Sequence, residues 1–474
     1  MGKKDKPAVL LRGVTMEEAG AEGMAVAHVE GKVLFVPFVV PGDVVDVRVT
    51  RNKKSYMEGR LEALVQPSPL RVPARCPHCG VCGGCKWQEL RYEEQLRMKE
   101  KQVRDALQRI GHVDVGGMRP ICGSEHTFQY RNKMEYTFCS RRWRTQEEME
   151  GGAVQSPALG FHIPGLFDKV LDISHCALQA DPADAIRNEA RRYALEKGLP
   201  FYDPRSHEGY LRTLILRCSS MGEWMLILVV AQDKPEWLLP MLDHLRETFP
   251  QLASLHYIVN EKQNDSYGDL PSVCYHGKEH LDEVMEAPGG APALHFAVHP
   301  KSFYQTNAPQ ARRLYGYVAE FAELRGDELV YDLYTGTGTI ALFLARQCRR
   351  VVGVEYVEDA VADARENVRA NGIDNAEFHA GDMAQVLDAA FVRSHGVPDV
   401  VVADPPRAGM AEKVVRQLLQ MRPRKIVYVS CNPATQARDL QWLAEAYDVC
   451  RLQPVDMFPH TQHVENVAEL VLRP

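Results

Sequence analysis

The chain has 474 residues, of which 45% are hydrophobic and 25% charged, the make-up of an ordinary globular protein of two to four domains. Its apolar run Met225 to Ala231 is far too short to cross a bilayer, and the polar start Gly2-Lys3-Lys4-Asp5-Lys6 lacks the apolar core of a secretory signal, so a cytoplasmic monomer away from membranes is expected. A net charge of −7 excludes a uniformly basic nucleic-acid binder, yet residues 1–150 hold 25 Lys+Arg against 20 Asp+Glu while the remainder holds 31 against 43; a basic front and an acidic back suit a protein that grips phosphate with one part and does chemistry with another.

Residues 1–66 read as short β-strands. Val33 to Val36 and Val44 to Val49 are β-rich, Pro41-Gly42-Asp43 separates them, and glycines punctuate the rest, which predicts a small antiparallel barrel. Barrels of this size often bind oligonucleotides. Residues 67–295 form a second unit, a central α+β domain. It opens on a cysteine segment and continues into a helix over 91–111, with Leu96, Val103, Leu107 and Ile110 on the helical repeat. Strands follow at Met134 to Phe138 and Trp224 to Val230. Tyr130-Arg131-Asn132-Lys133 and Arg141-Arg142-Trp143-Arg144 are basic segments with aromatics, suited either to splayed RNA bases or to a solvated face.

Cys76, Cys79, Cys82 and Cys85 pack four thiols into ten residues. In a long chain without a secretory signal this points to a metal centre rather than a disulfide scaffold. Zinc sites more often use two knuckles separated by a longer loop. Tight spacing with glycines favours an iron–sulfur cubane, with zinc as the alternative.

From residue 296 to 474 the pattern changes to apolar strands alternating with helices, which predicts a parallel sheet covered on both faces. The strand ending at Asp332 runs into Tyr334-Thr335-Gly336-Thr337-Gly338-Thr339, and Glu355 closes the next strand. Glycines at such a turn let backbone approach a ligand, and an acid at the next strand end can hold ribose hydroxyls. No third glycine follows, so a nucleoside without a pyrophosphate, S-adenosylmethionine, fits better than a dinucleotide. Two further strands deliver Asp404-Pro405-Pro406-Arg407 and Ser430-Cys431-Asn432-Pro433 to the same carboxyl edge, where open α/β sheets bind ligands. Taken singly, Cys431 reads as a core thiol and Glu465 as a surface acid.

Together these residues carry a specific resemblance. Phe303-Tyr304-Gln305-Thr306-Asn307, Asp332-Leu333-Tyr334-Thr335-Gly336, Asp404-Pro405-Pro406-Arg407, Ser430-Cys431-Asn432-Pro433 and Thr461-Gln462-His463-Val464-Glu465 occur in the order of the RNA (uracil-5-)-methyltransferase family, which the sequence resembles in its iron–sulfur, barrel-containing form acting on 23S ribosomal RNA. The resemblance implies a Rossmann-like C-terminal methyltransferase domain, an OB-like barrel of TRAM type and a central domain carrying a 4Fe-4S cluster. It implies that Gln305, Tyr334, Glu355 and Asp404 contact S-adenosylmethionine, that Cys431 is the nucleophile and that Glu465 is the base. It also implies Cys76, Cys82, Cys85 and Cys176 as cluster ligands, with Cys79 competing for the fourth place. Thr335 departs from the cysteine that the family often has there. Transfer RNA ranks below ribosomal RNA as substrate. Two rival readings remain: an amino-group methyltransferase, which would put an aromatic where Arg407 stands, and a non-catalytic RNA-binding protein.

Overall fold

Leu329–Leu333, Arg350–Glu355, Val400–Ala403 and Lys425–Ser430 are short runs of mostly β-branched and apolar residues. In a computed structural model of the chain, which describes residues 9–474, they form the middle of a seven-stranded sheet. Its order is Ala376–Ala380, Arg350–Glu355, Leu329–Leu333, Val400–Ala403, Lys425–Ser430, Glu465–Leu472, Tyr447–Val455. The first five strands run parallel. The last in sequence, Glu465–Leu472, inserts antiparallel between Lys425–Ser430 and Tyr447–Val455. Alternate side chains serve two cores, as a pleated strand requires. Val330, Val351, Val402 and Val427 pack under helices Ala308–Ala322 and Thr339–Ala345. Tyr331, Val352, Val401 and Tyr428 pack under Glu412–Met421 and Pro433–Leu443.

The N-terminal strands between Leu10 and Gln66 form a six-stranded sheet rolled over Met16, Leu34, Val36, Val45, Val47 and Met57. A second seven-stranded sheet, centred on Lys133–Cys139, Leu211–Cys218 and Trp224–Val230, carries helices Ala183–Glu196 and Pro235–Thr248. A separate hairpin, Leu281–Met285 with Leu294–Val298, crosses the 295/296 boundary drawn from sequence. Leu294, Phe296 and Val298 are buried in the core of the C-terminal unit, while Leu281 packs with Ile215, Met225 and Ile227 of the central sheet, so the hairpin bridges the two units. Among the described residues no helix is long and apolar enough to cross a membrane.

Helix Tyr92–Arg109 also packs on the C-terminal unit, through Val103 and Leu107. Its buried face differs from the expected apolar repeat: Ile110 is 43% exposed, while Gln95 and Lys99 are fully buried. Both polar groups have partners, as burial demands. Lys99 Nζ donates to Asp456 Oδ1 at 2.5 Å and to the Phe458 carbonyl at 3.0 Å. Tyr92 donates to the other Asp456 oxygen at 2.8 Å. Gln95 bonds the carbonyls of Trp87 and Leu90 and accepts from His460 N at 2.8 Å. The loop 456–463 is thus clasped by the helix, and three further elements hold it. Trp87 N donates to the His460 carbonyl, Tyr130 to the Pro459 carbonyl and Asn307 to the Met457 carbonyl. The barrel joins through the Trp87 indole, which donates to the Gly23 carbonyl at 3.1 Å. Replacing Lys99 with Met would strand the Asp456 charge in this buried site. The variant is expected to lose about 3–5 kcal/mol, read as a lower urea midpoint, and Lys99→Met/Asp456→Asn should recover part of that loss.

Candidate active site

The chain leaves strand Leu329–Leu333 through a turn that reverses sharply. Tyr334 takes φ +64°, Gly336 +56° and Gly338 +81°. A Cβ at Gly338 would lie 3.0–3.1 Å from Leu342, Ala364 and Phe378, so only glycine lets the turn close onto the following helix. The turn is fixed from the next strand. Gly336 N donates to Glu355 Oε2 and Val357 N to Glu355 Oε1, each at 3.0 Å. Glu355 therefore sits at the mouth with Tyr334, half-buried, and the exposed ring of Tyr356 follows it.

Three acids collect at this edge. Asp332 is 1% exposed and accepts from the Thr335 hydroxyl, while its Oδ1 is buried with no partner. Asp404 lies one residue past Ala403, which pairs with Leu333. Burial pushes the Asp332 carboxyl up to about 7, and burial together with the Asp332 charge pushes Asp404 up to about 7. Glu465 follows the same rule: burial, then repulsion by Asp404, lifts it to about 8, and Arg407 partly offsets this. Asp332 was noticed in the sequence only as a strand end; its burial, which spacing does not reveal, makes it part of this acid cluster.

Cys431 lies beside Glu465 through strand register. Ser430 pairs with Asn466 in the antiparallel ladder, and one step further stand Cys431 and Glu465. The half-buried thiol is pushed up to about 11 by burial and by the Glu465 and Asp404 charges, and Arg407 favours its thiolate. Asn432 caps the next helix, accepting from Ala434 N at 3.1 Å, and donates to the Arg407 carbonyl at 3.0 Å. Arg407, whose role the sequence left open, donates to His463 Nδ1 at 2.6 Å. Burial and the Arg407 charge push His463 down to about 4, so its neutral ring accepts that bond.

Gln305 stands at the junction with the central sheet. Asn132 Nδ2 donates to its carbonyl at 3.0 Å, and Asn132 N to the Thr306 carbonyl at 2.8 Å. Beside it lies a cavity of about 320 Å³ lined by Arg131, Lys133, Arg217, Phe303 and Tyr304 among others. Glu135 lines the same hollow and pairs with Lys133 at 2.6 Å, and the buried Arg217 donates to the Ser302 carbonyl at 2.6 Å, so the first basic segment contributes chiefly Arg131 to an aromatic hollow next to Gln305. In the second, Arg141 pairs with Asp203 and Arg142 with Glu148, so these two charges are neutralised within the protein.

The cysteine segment folds against the central core. Cys176, distant in sequence, comes to it: its charge acts on Cys82 and Cys85, and that of Cys76 acts on all three. His78 Nε2 accepts from Ser174 N at 3.2 Å, tying the two segments together. Cys79 instead faces Glu89, Cys76 and Cys82. Among the described residues no three of these thiols lie mutually within 4.8 Å, wider than the roughly 3.8 Å edge of a zinc tetrahedron built on Zn–S bonds of about 2.3 Å. Gln88 Oε1 accepts from Cys76 N at 2.7 Å, and the Gln88 side chain lies against Cys85 and favours its thiolate by hydrogen bonding. A donor set beside a thiol fits a centre that keeps its thiolates charged.

The tRNA (Uracil-5-)-methyltransferase family pattern matches residues 274–472, and the TRAM domain pattern of tRNA (uracil(54)-C(5))-methyltransferase matches residues 11–70. An uncharacterized RNA methyltransferase of Bacteroides thetaiotaomicron is 52% identical over 458 residues, covering 96% of this chain and 100% of the relative. The chain belongs to the RNA (uracil-5-)-methyltransferase family. A second relative, an uncharacterized RNA methyltransferase of Porphyromonas gingivalis, is 51% identical over 96% of this chain and 98% of its own length. Among solved structures, Pyrococcus abyssi tRNA (uracil-54, C5)-methyltransferase in complex with S-adenosyl-L-homocysteine shares 30% identity over 97% of this chain and 100% of that one, with a TM-score of 0.73. This methyltransferase is therefore an RNA-modifying, S-adenosylmethionine-dependent enzyme with a TRAM barrel ahead of its α/β domain.

The acid cluster makes this enzyme pH-sensitive. Carboxyls at about 7, 7 and 8 keep protons that the unfolded chain has already lost. Their stabilising contribution is complete below about pH 4 and fades as pH rises through 7 to 8. Asp404→Asn is expected to raise the melting midpoint of the ligand-free protein by several degrees at pH 9, with little change at pH 4.

Proposed function

We propose that this enzyme methylates carbon 5 of a uridine in large-subunit ribosomal RNA by covalent addition of Cys431. The observation that carries the reading is the register that sets Cys431 beside Glu465 at the edge where Asp404 also ends. Gln305, Tyr334, Glu355 and Asp404 hold S-adenosylmethionine. The acids suit it, since unpaired buried carboxylates favour a cationic ligand. S-adenosylmethionine, when bound, supplies a methyl group on a sulfonium sulfur. A cation held against Asp404 and Asp332 lowers both acids and relieves the repulsion on Glu465, freeing it to act as a base.

Carbon 5 of uracil is too poor a nucleophile to take a methyl unaided. The Cys431 thiolate, favoured by Arg407, adds to carbon 6, and the ring π pair moves to form an enolate. Carbon 5 then bonds the methyl carbon, while the electron pair of the broken S–CH3 bond stays on sulfur. Glu465 takes the carbon-5 proton, the double bond re-forms and the thiolate leaves. The target base must leave its stack to reach the site. The TRAM barrel and Arg131 at the hollow beside Gln305 grip the surrounding phosphates.

Transfer RNA is the second reading, favoured by the Pyrococcus abyssi relative, whose substrate position is uracil-54. Mass spectrometry of ribosomal and transfer RNA from a deletion strain separates the two by which RNA loses its 5-methyluridine. With that RNA in hand, Cys431→Ala should lower methylation by more than about a thousandfold and form no adduct with 5-fluorouridine RNA. Glu465→Gln should still form the adduct. Full activity in Cys431→Ala would sink the mechanism.

In the same reading Cys76, Cys82, Cys85 and Cys176 hold a 4Fe-4S cluster, supported by the wide spacing of the thiols and the Gln88 donor beside Cys85. Iron and sulfide in anaerobically purified protein should survive Cys79→Ser and be lost in Cys176→Ser. The reverse pattern would make Cys79 the fourth ligand.

A further inference from the structure

We infer a divalent transition-metal site away from the sheet edge, formed by His280, His299 and Glu366. The hairpin pairs Leu281 with Val298, so His280 and His299 face each other one step beyond that pair, at the hairpin's open end. Their rings lie 5.2 Å apart at 63°. Glu366 comes from helix Glu358–Ala370, which is locked to the hairpin: Asn367 Oδ1 accepts from Ala297 N at 2.9 Å and Asn371 Oδ1 from His295 N at 2.8 Å. Three separate segments thus present three ligand atoms, all within 4.8 Å of one another. Two imidazoles and a carboxylate are the donor set that zinc and its neighbours bind, with positions left for water.

The charges around the site favour a cation. Glu366 Oε2 lies 3.2 Å from His299 Nε2, and Asp363 Oδ1 stands 3.8 Å from the same nitrogen. Asp282 lies 3.4 Å from His280 Nε2. The nearby lysines are occupied: Lys278 bridges Glu223 and Asp282, and Lys301 bridges Asp359 and the Gly268 carbonyl. A second cluster, Glu377, His379 and His395, is equally tight but already filled. Arg350 Nη2 donates to Glu377 Oε1 at 2.5 Å, and the His395 ring contacts the Phe391 carbonyl at 2.9 Å. A guanidinium on the shared carboxylate repels a metal ion, whereas no arginine or lysine contacts Glu366 among the described ion pairs.

An ion here would brace two segments that lead to the cofactor pocket. His299 N donates to Ser302 Oγ at 3.0 Å, three residues before Gln305. Helix Glu358–Ala370 starts three residues after Glu355. The ion would join the two directly, where now a hydrogen-bonded imidazole and carboxylate do so.

The test is titration of Co²⁺ into the purified enzyme with its cysteine centre loaded, following visible d–d absorption. A single equivalent should bind with a nitrogen–oxygen spectrum and no thiolate charge-transfer band. His280→Asn and His299→Asn, both at half-exposed positions, should each weaken it by more than about a hundredfold, the upper end of the cost of losing a residue behind a ligand. His379→Asn should leave it unchanged. The metal-free variants should melt like the parent, so that lost binding is not lost folding. Unaltered Co²⁺ binding in both hairpin variants, binding lost in His379→Asn instead, or a thiolate band overturns the proposal.

Discussion

A buried ion pair between Lys99 and Asp456 ties the first helix after the cysteine segment to the loop before the last strand. An ammonium without water is costly, and its burial is tolerated only because a carboxylate, a carbonyl and a tyrosine hydroxyl complete the cluster. Around it gather contacts from the barrel, the cysteine segment, the central sheet and the helix that Asn307 caps. The loop 456–463 is therefore shared by every unit of the fold. Since that loop leads into Glu465, the position of the proposed base depends on all of them together. A polar anchor suits this task, because directional bonds fix one arrangement where an apolar contact would permit several.

At the other end of the loop the electrostatics run in the opposite sense. Lys99 and Asp456 neutralise each other, whereas Asp332, Asp404 and Glu465 crowd together with only Arg407 nearby, and Arg407 is partly engaged by His463. Without a ligand the acids hold their protons. Burial likewise keeps the Cys431 thiol protonated. In the proposed mechanism the site is thus quiet when empty and becomes reactive when positive charge enters, an arrangement that would protect the sulfur from idle chemistry.

The parallel sheet was legible because its strands are apolar on both faces, and the carboxyl-edge residues followed from where those strands end. The order of motifs carried the family, and with it the pairing of Cys431 with Glu465. Spacing alone would not have found that pair, since Glu465 reaches Cys431 only by antiparallel insertion of the last strand. Helix Tyr92–Arg109 was legible as a helix but its inner face was not. Lys99 and Gln95 lie off the apolar repeat, and only the partners supplied by residues 456–460 make their burial affordable. The hairpin at 281–298 lies across the drawn boundary for a similar reason: its second strand is held by helix Glu358–Ala370, far later in sequence, while Leu281 packs on the central sheet before it.

The insertion of strand Glu465–Leu472 between two earlier strands has a consequence for how the enzyme comes into being. The barrel, the cysteine segment and all five parallel strands come before Glu465 in the sequence, and Cys431 ends the last of them, yet the slot beside Lys425–Ser430 stays open until strand Glu465–Leu472 enters it. A chain without that strand has Cys431 but lacks the proposed proton acceptor. In the proposed mechanism competence is therefore conferred by the same strand that closes the sheet.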